Sequence, residues 1–264
     1  MFALAALLAP SAALAARQAE RLYLALGDSY AYGLGASVLS QNGYVALLFR
    51  ALQAPGRWRV GQLRNVAVSG TTTGSILGGQ LDEALEAIRD PGTDTRVVTL
   101  QIGGNDVLGL PACADDPVAC GLADRYTQLL ARLRGALDAD PGREAIVVVS
   151  YPNPWSGTGL PFEPVAADEL VGADGDINCA GGSLDIGLND VLSCVGARFG
   201  ALTADLYTPM LGRGLELTHI AAGDVHLNDA GHALAAEVLT SVLRPGCGAS
   251  RSCDDATMLR PQDH

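Results

Sequence analysis

Five short apolar segments alternate with segments of helical periodicity along most of this chain. The apolar segments are rich in Val, Ile and Leu, which is typical of strands that are buried on both faces. They are Arg21–Leu26, Leu63–Val68, Arg96–Ile102, Ala145–Tyr151 and Ala201–Tyr207. The segments between and after them repeat apolar residues at spacings of three and four, and they are Tyr44–Leu52, Ile76–Ile88, Leu122–Leu137, Leu184–Phe199 and Asn228–Leu243. This alternation predicts an α/β fold, a three-layer α/β/α sandwich around a parallel five-stranded sheet with right-handed crossovers.

Chemically useful residues follow the predicted strands. Ser29, in a Gly-Asp-Ser triplet, comes directly after the first strand, Gly70 follows the second and Asn105 follows the third. His226 stands just before the last predicted helix, which Asn228 or Asp229 could cap. Because parallel sheets bind ligands beyond the carboxyl ends of their strands, we expect these residues to share one edge of the sheet.

Together these residues fit the chemistry of ester hydrolysis. A serine hydroxyl is a weak nucleophile until a neighbouring base takes its proton, and histidine suits that role near neutral pH. Attack on a carbonyl also places negative charge on oxygen, which must be met by hydrogen-bond donors already in position. We interpret Ser29 as the candidate nucleophile and His226 as the candidate base. The N–H groups of Ser29 and Gly70 and the Asn105 amide are the candidate donors to the oxyanion.

Four motifs carry a resemblance to a known family. They are Gly27–Ser29, Asn65–Gly70, Gly103–Asp106 and Asp224–Asn228. In this order they resemble the conserved blocks of the SGNH hydrolases, the GDSL esterase/lipase superfamily, and the similarity covers nearly all of the chain after residue 16. The resemblance implies a flavodoxin-like sandwich that hydrolyses esters, thioesters or acetylated sugars without a cofactor. It also implies that Ser29 is the nucleophile, that Gly70 and Asn105 complete the oxyanion hole, and that His226 is the general base.

The histidine motif departs from the family pattern. The family's orienting aspartate stands three residues before the histidine, where this chain has Gly223, and Asp224 lies one position nearer to His226. Leu227 also replaces the proline that is common after the histidine. Two alternatives are therefore open for the group that orients the imidazole: the Asp224 carboxylate, or a main-chain carbonyl near Gly223.

The N-terminus and the cysteines indicate export. Residues 1–16 are rich in Ala and Leu and end in a small-x-small pattern, which predicts a signal peptide, with a buried first helix as the alternative. Six cysteines form three sequence-local pairs among fifteen possible connectivities. We expect a secreted protein, extracellular or periplasmic, in which residues 17–264 form a single domain with a disulfide-stapled C-terminal tail. The three predicted disulfides are Cys113 with Cys120, Cys179 with Cys194, and Cys247 with Cys253.

Composition narrows the class of partner. A chain of 264 residues with 48% hydrophobic positions can bury one substantial core. A net charge of −12 disfavours nucleic acids and anionic membranes. The apolar N-terminal segment is too short to span a membrane comfortably. Neither a Cys-x-x-Cys nor a His-Glu-x-x-His pattern occurs, so we expect no metal. We expect a monomer that acts on a small-molecule or lipid ester and needs no cofactor.

Other classes of function remain to be weighed. The α/β-hydrolases are a neighbouring class, but their Gly-x-Ser-x-Gly elbow is absent around Ser29. A nucleotide or flavin binder could hold a phosphate at Ser69–Ser75, although that segment lacks the P-loop lysine. A third alternative is a non-catalytic extracellular binding module, which the displaced aspartate would permit.

Two long irregular segments and the substrate complete the expectations. We interpret Leu108–Gly121 and Pro152–Ser183 as walls of a cleft, with a mobile surface insertion as the alternative for the longer one. Aromatic residues make up 5% of the chain and no amphipathic lid is evident, which favours soluble short-chain esters over lipid interfaces. Acetylated polysaccharides, lysophospholipids, thioesters and acylglycerols remain possible substrates.

Overall fold

The computed structural model describes residues 19–137, 144–173, 175, 177 and 186–244. In these ranges five strands form one parallel sheet in the order β2-β1-β3-β4-β5. The strands are β1 (Glu20–Gly27), β2 (Gln62–Asn65), β3 (Thr93–Gln101), β4 (Ala145–Val149) and β5 (Leu202–Ala204). Helices flank this sheet, so the predicted three-layer sandwich is confirmed.

The α-helices of the described residues include long packing helices and short helices at the ends of strands. The first six, in chain order, are α1 (Ser29–Tyr32), α2 (Leu39–Asn42), α3 (Tyr44–Leu52), α4 (Gly79–Arg89), α5 (Gly104–Gly109) and α6 (Pro111–Asp115). The others are α7 (Leu122–Leu137), α8 (Phe162–Val171), α9 (Leu188–Arg198), α10 (Tyr207–Met210), α11 (Gly214–Leu217) and α12 (Asp229–Val242). In the described part of the chain, no helix is both long enough and apolar enough to cross a lipid bilayer.

The strand order determines which helices share a face of the sheet. The chain runs outward from β1 to β2 through α3, then returns across β1 to β3 through α4, so right-handed crossovers place α3 and α4 on opposite faces. The crossovers to β4 and β5 continue in the same direction, and α7 packs between α4 and α9. Helix α12 packs against α3. Both faces of the sheet are therefore covered.

Burial of the central strands follows from this double cover. Leu22–Leu26 of β1 are completely buried, without the alternation of a half-exposed strand. Ala145–Val149 of β4 are buried in the same way. Each fully buried leucine stabilises the fold by about 1.5–3 kcal/mol. The buried hydroxyl of Tyr23 is paired with the Thr99 hydroxyl at 2.9 Å, so this polar group is not left unsatisfied in the core.

The edge strands are shorter than predicted. The sequence predicted β2 to continue to Val68, but the ladder ends at Asn65. The sequence also predicted β5 to run to Tyr207, whereas it ends at Ala204. There the Asp205 carboxylate accepts hydrogen bonds from the N–H groups of Tyr207 and Thr208, and this starts α10.

The two segments predicted to be irregular contain helices. Helix α6 lies within Leu108–Gly121, with Pro111 at a position favourable for starting a helix. Helix α8 lies within Pro152–Ser183. Its sequence lacks a clear apolar stripe, which is why periodicity did not reveal it.

One predicted disulfide is described in full. Cys113 in α6 is bonded to Cys120 with a Cα–Cα distance of 5.1 Å. Cys194 in α9 is also disulfide-bonded, but its predicted partner Cys179 lies outside the described residues. The predicted Cys247–Cys253 bridge and the predicted signal peptide, residues 1–16, lie outside them as well.

The end of β1 is built to hold the next turn in one position. Gly27 has a φ of +146°, and a Cβ there would lie 2.2 Å from the Gln101 carbonyl oxygen, so only glycine fits. Asp28 caps α1 by accepting the Tyr30 N–H at 3.0 Å. Its second carboxylate oxygen accepts a short hydrogen bond from the Tyr151 hydroxyl. Ser29 is thereby fixed as the first residue of α1.

Burial makes Asp28 an unusual cap. Burial raises the pKa of Asp28 to about 7, although the hydrogen bonds from Tyr151 and Tyr30 oppose this shift. The pKa of an unfolded-chain aspartate is about 3.9. The folded state therefore keeps the proton over a pH range in which the unfolded state has lost it. The stability linked to this group is complete below about pH 4 and is lost as the pH rises through about 7.

We expect Asp28→Asn to become more stable relative to the wild type as the pH rises from about 4 to about 8. Asparagine keeps an oxygen that can accept the Tyr30 N–H but has no proton to lose. At about 1.4 kcal/mol per pKa unit, the gain is on the order of a few kcal/mol. Urea unfolding at unit pH intervals measures it.

Asp124→Asn is the matched control because it removes an exposed carboxyl on α7. Its effect on the free energy of unfolding is subtracted at each pH. A difference between Asp28→Asn and the wild type that stayed constant with pH would show that Asp28 has no raised pKa.

Candidate active site

Ser29 and His226 meet at the carboxyl edge of the sheet. Their separation along the chain is 197 residues, yet His226 Nε2 lies 2.8 Å from Ser29 Oγ. Ser29 is nearly buried at the start of α1. His226 comes from the segment between α11 and α12, which the α/β fold returns to the same edge. The distance is that of a hydrogen bond, and a serine hydroxyl can donate to an unprotonated imidazole nitrogen.

The Asp224 carboxylate occupies the other side of the imidazole. Asp224 Oδ1 is 2.5 Å from His226 Nδ1 and also accepts the His226 N–H at 3.0 Å. A carboxylate that bonds to the main chain two residues ahead forms a local turn, and this turn brings it onto the ring. The sequence left open whether the Asp224 carboxylate or a main-chain carbonyl near Gly223 contacts the imidazole. In the structure the carboxylate makes this contact.

The charge of Asp224 suits this position. Burial would raise its pKa, but the hydrogen bonds from the His226 N–H and imidazole, together with the charges of His226 and His219, outweigh it. The net result is a pKa below the ordinary value of an aspartate. Asp224 is therefore ionised at neutral pH and can accept a proton-bearing Nδ1.

Asn105 and Gly70 lie on the next part of the edge. Asn105, in the first turn of α5, donates an amide N–H to the Thr71 carbonyl at 2.9 Å. An asparagine amide has a second N–H, which this bond leaves available. Gly70 is exposed, has a φ of +81°, and has open space where a Cβ would stand. The bond to Thr71 ties the Gly70 turn to Asn105.

Two buried polar side chains fix this turn. Asp106 accepts from the N–H and the hydroxyl of Thr73 at 2.8 and 2.6 Å, and pairs with Arg125 at 3.2 Å. Gln80 bonds to both the N–H and the carbonyl of Gly27, and donates to the Thr71 hydroxyl. Gln80 thus joins the end of β1 to the turn that carries Gly70.

Sequence reasoning missed several of these residues. Gln80, Tyr30 and Tyr151 each bind main-chain or carboxylate groups next to the site, but none stands in a local motif. Gly104 indicates that Tyr151 packs closely against it, since a Cβ at Gly104 would lie 2.8 Å from the tyrosine ring. The need for glycine at position 104 can be inferred only when β3 and β4 are known to be neighbours.

A cleft of about 130 Å³ opens beside Ser29, Asn105 and His226. Its walls come from α5, α8, α9 and the loop after β4. The segment Pro152–Ser183 therefore lines the cleft as predicted, whereas Leu108–Gly121 contributes only its first residue, Leu108. Most of the wall away from Ser29 is apolar, and it includes Val107, Leu108, Trp155, Ala166, Leu170 and Leu188. Such a wall suits a hydrocarbon group rather than a charged one.

One carboxylate interrupts this wall. Glu169 of α8 lines the cleft, and burial together with the charges of Asp115 and Asp168 raises its pKa. The acidic residues around it make an anionic group in this part of the cleft unfavourable.

Two rival sites find little support in the described residues. At the predicted phosphate cradle, the N–H groups of Thr72 and Ser75 bond to each other's hydroxyl oxygens, so they are not turned to a ligand. Within the part of the chain described, no group of three or more His, Cys, Asp or Glu side chains is placed to hold a metal ion.

Solved structures with the same fold include esterases and lipases. An extracellular lipase from Streptomyces rimosus is 22% identical, with a TM-score of 0.52, over 84% of this chain and 99% of that one. An acetyl xylan esterase, AlAXEase, is 16% identical, with a TM-score of 0.56, over 84% and 100%. A Slackia heliotrinireducens protein assigned to the SGNH hydrolases is 20% identical, with a TM-score of 0.54, over 86% and 100%. At these identities the likeness is one of fold.

Curated protein sequences contain no significant match to this chain. The model of the GDSL-like lipase/acylhydrolase family matches residues 25–234, a range that includes Ser29, Gly70, Asn105, Asp224 and His226. The chain belongs to this family of SGNH hydrolases and is a carboxylic ester hydrolase.

Proposed function

We propose that the protein is a secreted serine esterase that works through an acyl-enzyme, with Ser29 as nucleophile, His226 as general base and Asp224 as the orienting acid. One observation carries this proposal: the continuous contact from Asp224 Oδ1 to His226 Nδ1 at 2.5 Å and from His226 Nε2 to Ser29 Oγ at 2.8 Å. The chain of contacts ends in the cleft, where a substrate carbonyl can reach the hydroxyl.

Acylation follows from this geometry. Ser29 Oγ bonds to the carbonyl carbon while its proton passes to His226 Nε2, which leaves an imidazolium paired with ionised Asp224. The carbonyl oxygen becomes an oxyanion, for which we propose the N–H groups of Ser29 and Gly70 and the free Asn105 amide N–H as donors. The bond to the alcohol oxygen then breaks, and the alcohol leaves with the proton from His226.

Deacylation repeats these steps with water. Water gives a proton to His226 Nε2 as its oxygen bonds to the acyl carbon, and a second oxyanion forms at the same donors. The bond to Ser29 Oγ breaks, the serine regains its proton from His226, and the carboxylic acid leaves. The acidic surroundings of Glu169 favour departure of the acid once it ionises.

The apolar wall supports a substrate with an uncharged acyl group. We propose soluble carboxylic esters, with the acyl group against Leu108, Trp155 and Ala166. The Cys113–Cys120 disulfide supports an oxidising location outside the cytosol, extracellular or periplasmic. We propose that the enzyme acts as a monomer, with residues 17–264 as one domain.

Two alternatives use the same site. Exposed Leu108, which lines the cleft, and exposed Phe162, whose ring centroid lies 6.4 Å from that of Trp155, favour a lysophospholipid or a thioester with a longer acyl chain. A carbohydrate acetyl esterase would instead need only a small acyl pocket, which a cleft of about 130 Å³ provides. An acyl-chain series of p-nitrophenyl esters, assayed beside acetylated xylan and a lysophospholipid, separates these alternatives. A non-catalytic binding module is disfavoured because binding alone does not require a serine hydroxyl that is hydrogen-bonded to a histidine.

We expect Ser29→Ala to remove essentially all turnover of p-nitrophenyl acetate, because no other hydroxyl contacts His226 among the described residues. The measurement is kcat/KM, with circular dichroism to show that the variant is folded. Ser241→Ala, on the far end of α12, is the matched control and should keep wild-type activity. Full activity in Ser29→Ala would end the assignment of the nucleophile.

We expect Asp224→Asn to lower kcat by about 10²–10⁴-fold, since an amide cannot hold the imidazole in the correct tautomer or stabilise the imidazolium. The Asp224 side chain is 46% exposed, so water can replace part of its role and the loss should fall toward the lower end.

Glu237→Gln, an exposed position on α12, controls for the loss of one negative charge. If Asp224→Asn kept kcat close to that of Glu237→Gln, another group would have to orient His226, and a main-chain carbonyl near Gly223 would be the first candidate.

A further inference from the structure

The centre of the loop that carries Asp224 and His226 is only partly buried, whereas Ile220 and Leu227 at its ends are buried. Asp224 is nearly half exposed, and Gly223 before it adopts a positive φ of 78°. Within the loop, the His219 N–H donates to the His226 carbonyl at 2.9 Å, which closes the turn on itself. Such local bonds define the shape of the loop but do not fix its distance from Ser29.

Tyr30 connects this loop directly to the helix that begins with Ser29. Its hydroxyl donates to the Val225 carbonyl at 2.7 Å, across 195 residues of sequence. Val225 is the residue between Asp224 and His226, so the bond holds the main chain at the centre of the loop. The Tyr30 ring also lies against the His226 imidazole, with centroids 5.7 Å apart.

Tyr30 is itself held rigidly. Its main-chain N–H is bonded to the Asp28 carboxylate, and its ring packs edge-on against Tyr151 with centroids 5.5 Å apart. The side chain is 6% exposed. Burial raises the pKa of the Tyr30 phenol far above its ordinary value, and the charges of Asp28 and Asp224 act in the same direction. The hydroxyl therefore keeps its proton at neutral pH and can donate it to the Val225 carbonyl.

We propose that Tyr30 is a positioning residue: its hydroxyl, by holding the Val225 carbonyl, sets the distance between Ser29 Oγ and His226 Nε2. This role rests on the proposed function, because it matters only if these two atoms exchange a proton. Tyr30 follows Ser29 in the chain, so any movement of the nucleophile moves the anchor of the base with it. The segment that carries Ser29 and the loop that carries His226 are thus joined by a direct hydrogen bond.

A second contact supports the same arrangement. His219 Nε2 lies 2.8 Å from the Gly35 carbonyl, in the segment after α1. A Cβ at Gly35 would lie 2.3 Å from the Leu227 carbonyl oxygen and 3.0 Å from His226 Cβ. The chain after Ser29 therefore contacts both flanks of the histidine loop, while Tyr30 holds its centre.

Tyr30→Phe tests the proposal because it removes one oxygen atom and keeps the ring. We expect kcat for p-nitrophenyl acetate to fall by about 10- to 100-fold, since displacing a reacting group by about 1 Å can cost about 100-fold. KM should change little, because phenylalanine keeps the ring that lines the cleft and loses only the hydroxyl that bonds to the Val225 carbonyl. Amide hydrogen exchange of residues 219–228 should become faster, which reports the loop independently of turnover.

Tyr126→Phe is the matched control. Tyr126 is completely buried, lies in α7, and has a hydroxyl with no hydrogen-bond partner in the described part of the chain. Its variant should keep wild-type kcat and the wild-type exchange rate at residues 219–228. It therefore measures what the loss of a buried tyrosine hydroxyl does when no anchoring is involved.

The outcomes separate the two levels of inference. A wild-type protein without esterase turnover would defeat the proposed function, while the exchange comparison would still decide whether Tyr30 anchors the loop. Wild-type kcat in Tyr30→Phe, an equal loss in Tyr126→Phe, or a loss confined to KM would each overturn the positioning role. Failure of Tyr30→Phe to fold would also overturn it, because the hydroxyl would then be needed for the core rather than the loop.

Discussion

The site depends on one hydrogen bond between the Ser29 hydroxyl and the His226 imidazole. These two residues come from opposite ends of the described chain, and a distance of 2.8 Å leaves little tolerance for error in either position. The fold supplies that accuracy in two ways. The parallel sheet brings the ends of all its strands to one edge, and buried polar side chains then fix the turns at that edge.

Burying polar side chains to fix these turns costs free energy of folding that apolar side chains at the same positions would not cost. Asp28, Asp106 and Gln80 are each at least nine-tenths buried, and each is satisfied by main-chain or side-chain partners next to the site. Removal of a partner would take a hydrogen bond from a buried polar group, which is costly in the interior of a protein. We interpret these residues as the rigid support that keeps the Ser29 and Asn105 turns in register, with the Asp28 carboxyl as the pH-sensitive member.

The sequence was sufficient to predict the framework and to place Ser29 and His226 at the same edge of the sheet, where the structure has them. Strands buried on both faces of a parallel sheet have continuous apolar sequences, so β1, β3 and β4 could be located. The residues that follow these strands could then be assigned to one edge of the sheet. Helices with a clear apolar stripe, such as α3 and α7, were predicted with the observed bounds. The strand at the edge of the sheet, β2, is only partly buried, and its end depends on tertiary contacts that no local pattern records.

Features that arise from folded proximity could not be predicted. Asp224 stood one position away from the family pattern, and whether its carboxylate could reach the ring depended on the turn that its bond to the His226 N–H creates. Gln80 and Tyr30 sit in ordinary helical sequence, and their partners are 53 and 195 residues away. Helix α8 lacks the periodicity that reveals a helix, although it forms a wall of the cleft.

The central claim is that Ser29 is activated by His226, and covalent labelling tests it most directly. The protein would be treated with a p-nitrophenyl phosphonate, digested, and its peptides analysed by mass spectrometry. We expect a single phosphonyl adduct on Ser29 in the wild type and almost none in His226→Ala under the same conditions. An adduct on another residue, or labelling of Ser29 at the same rate without His226, would contradict the account.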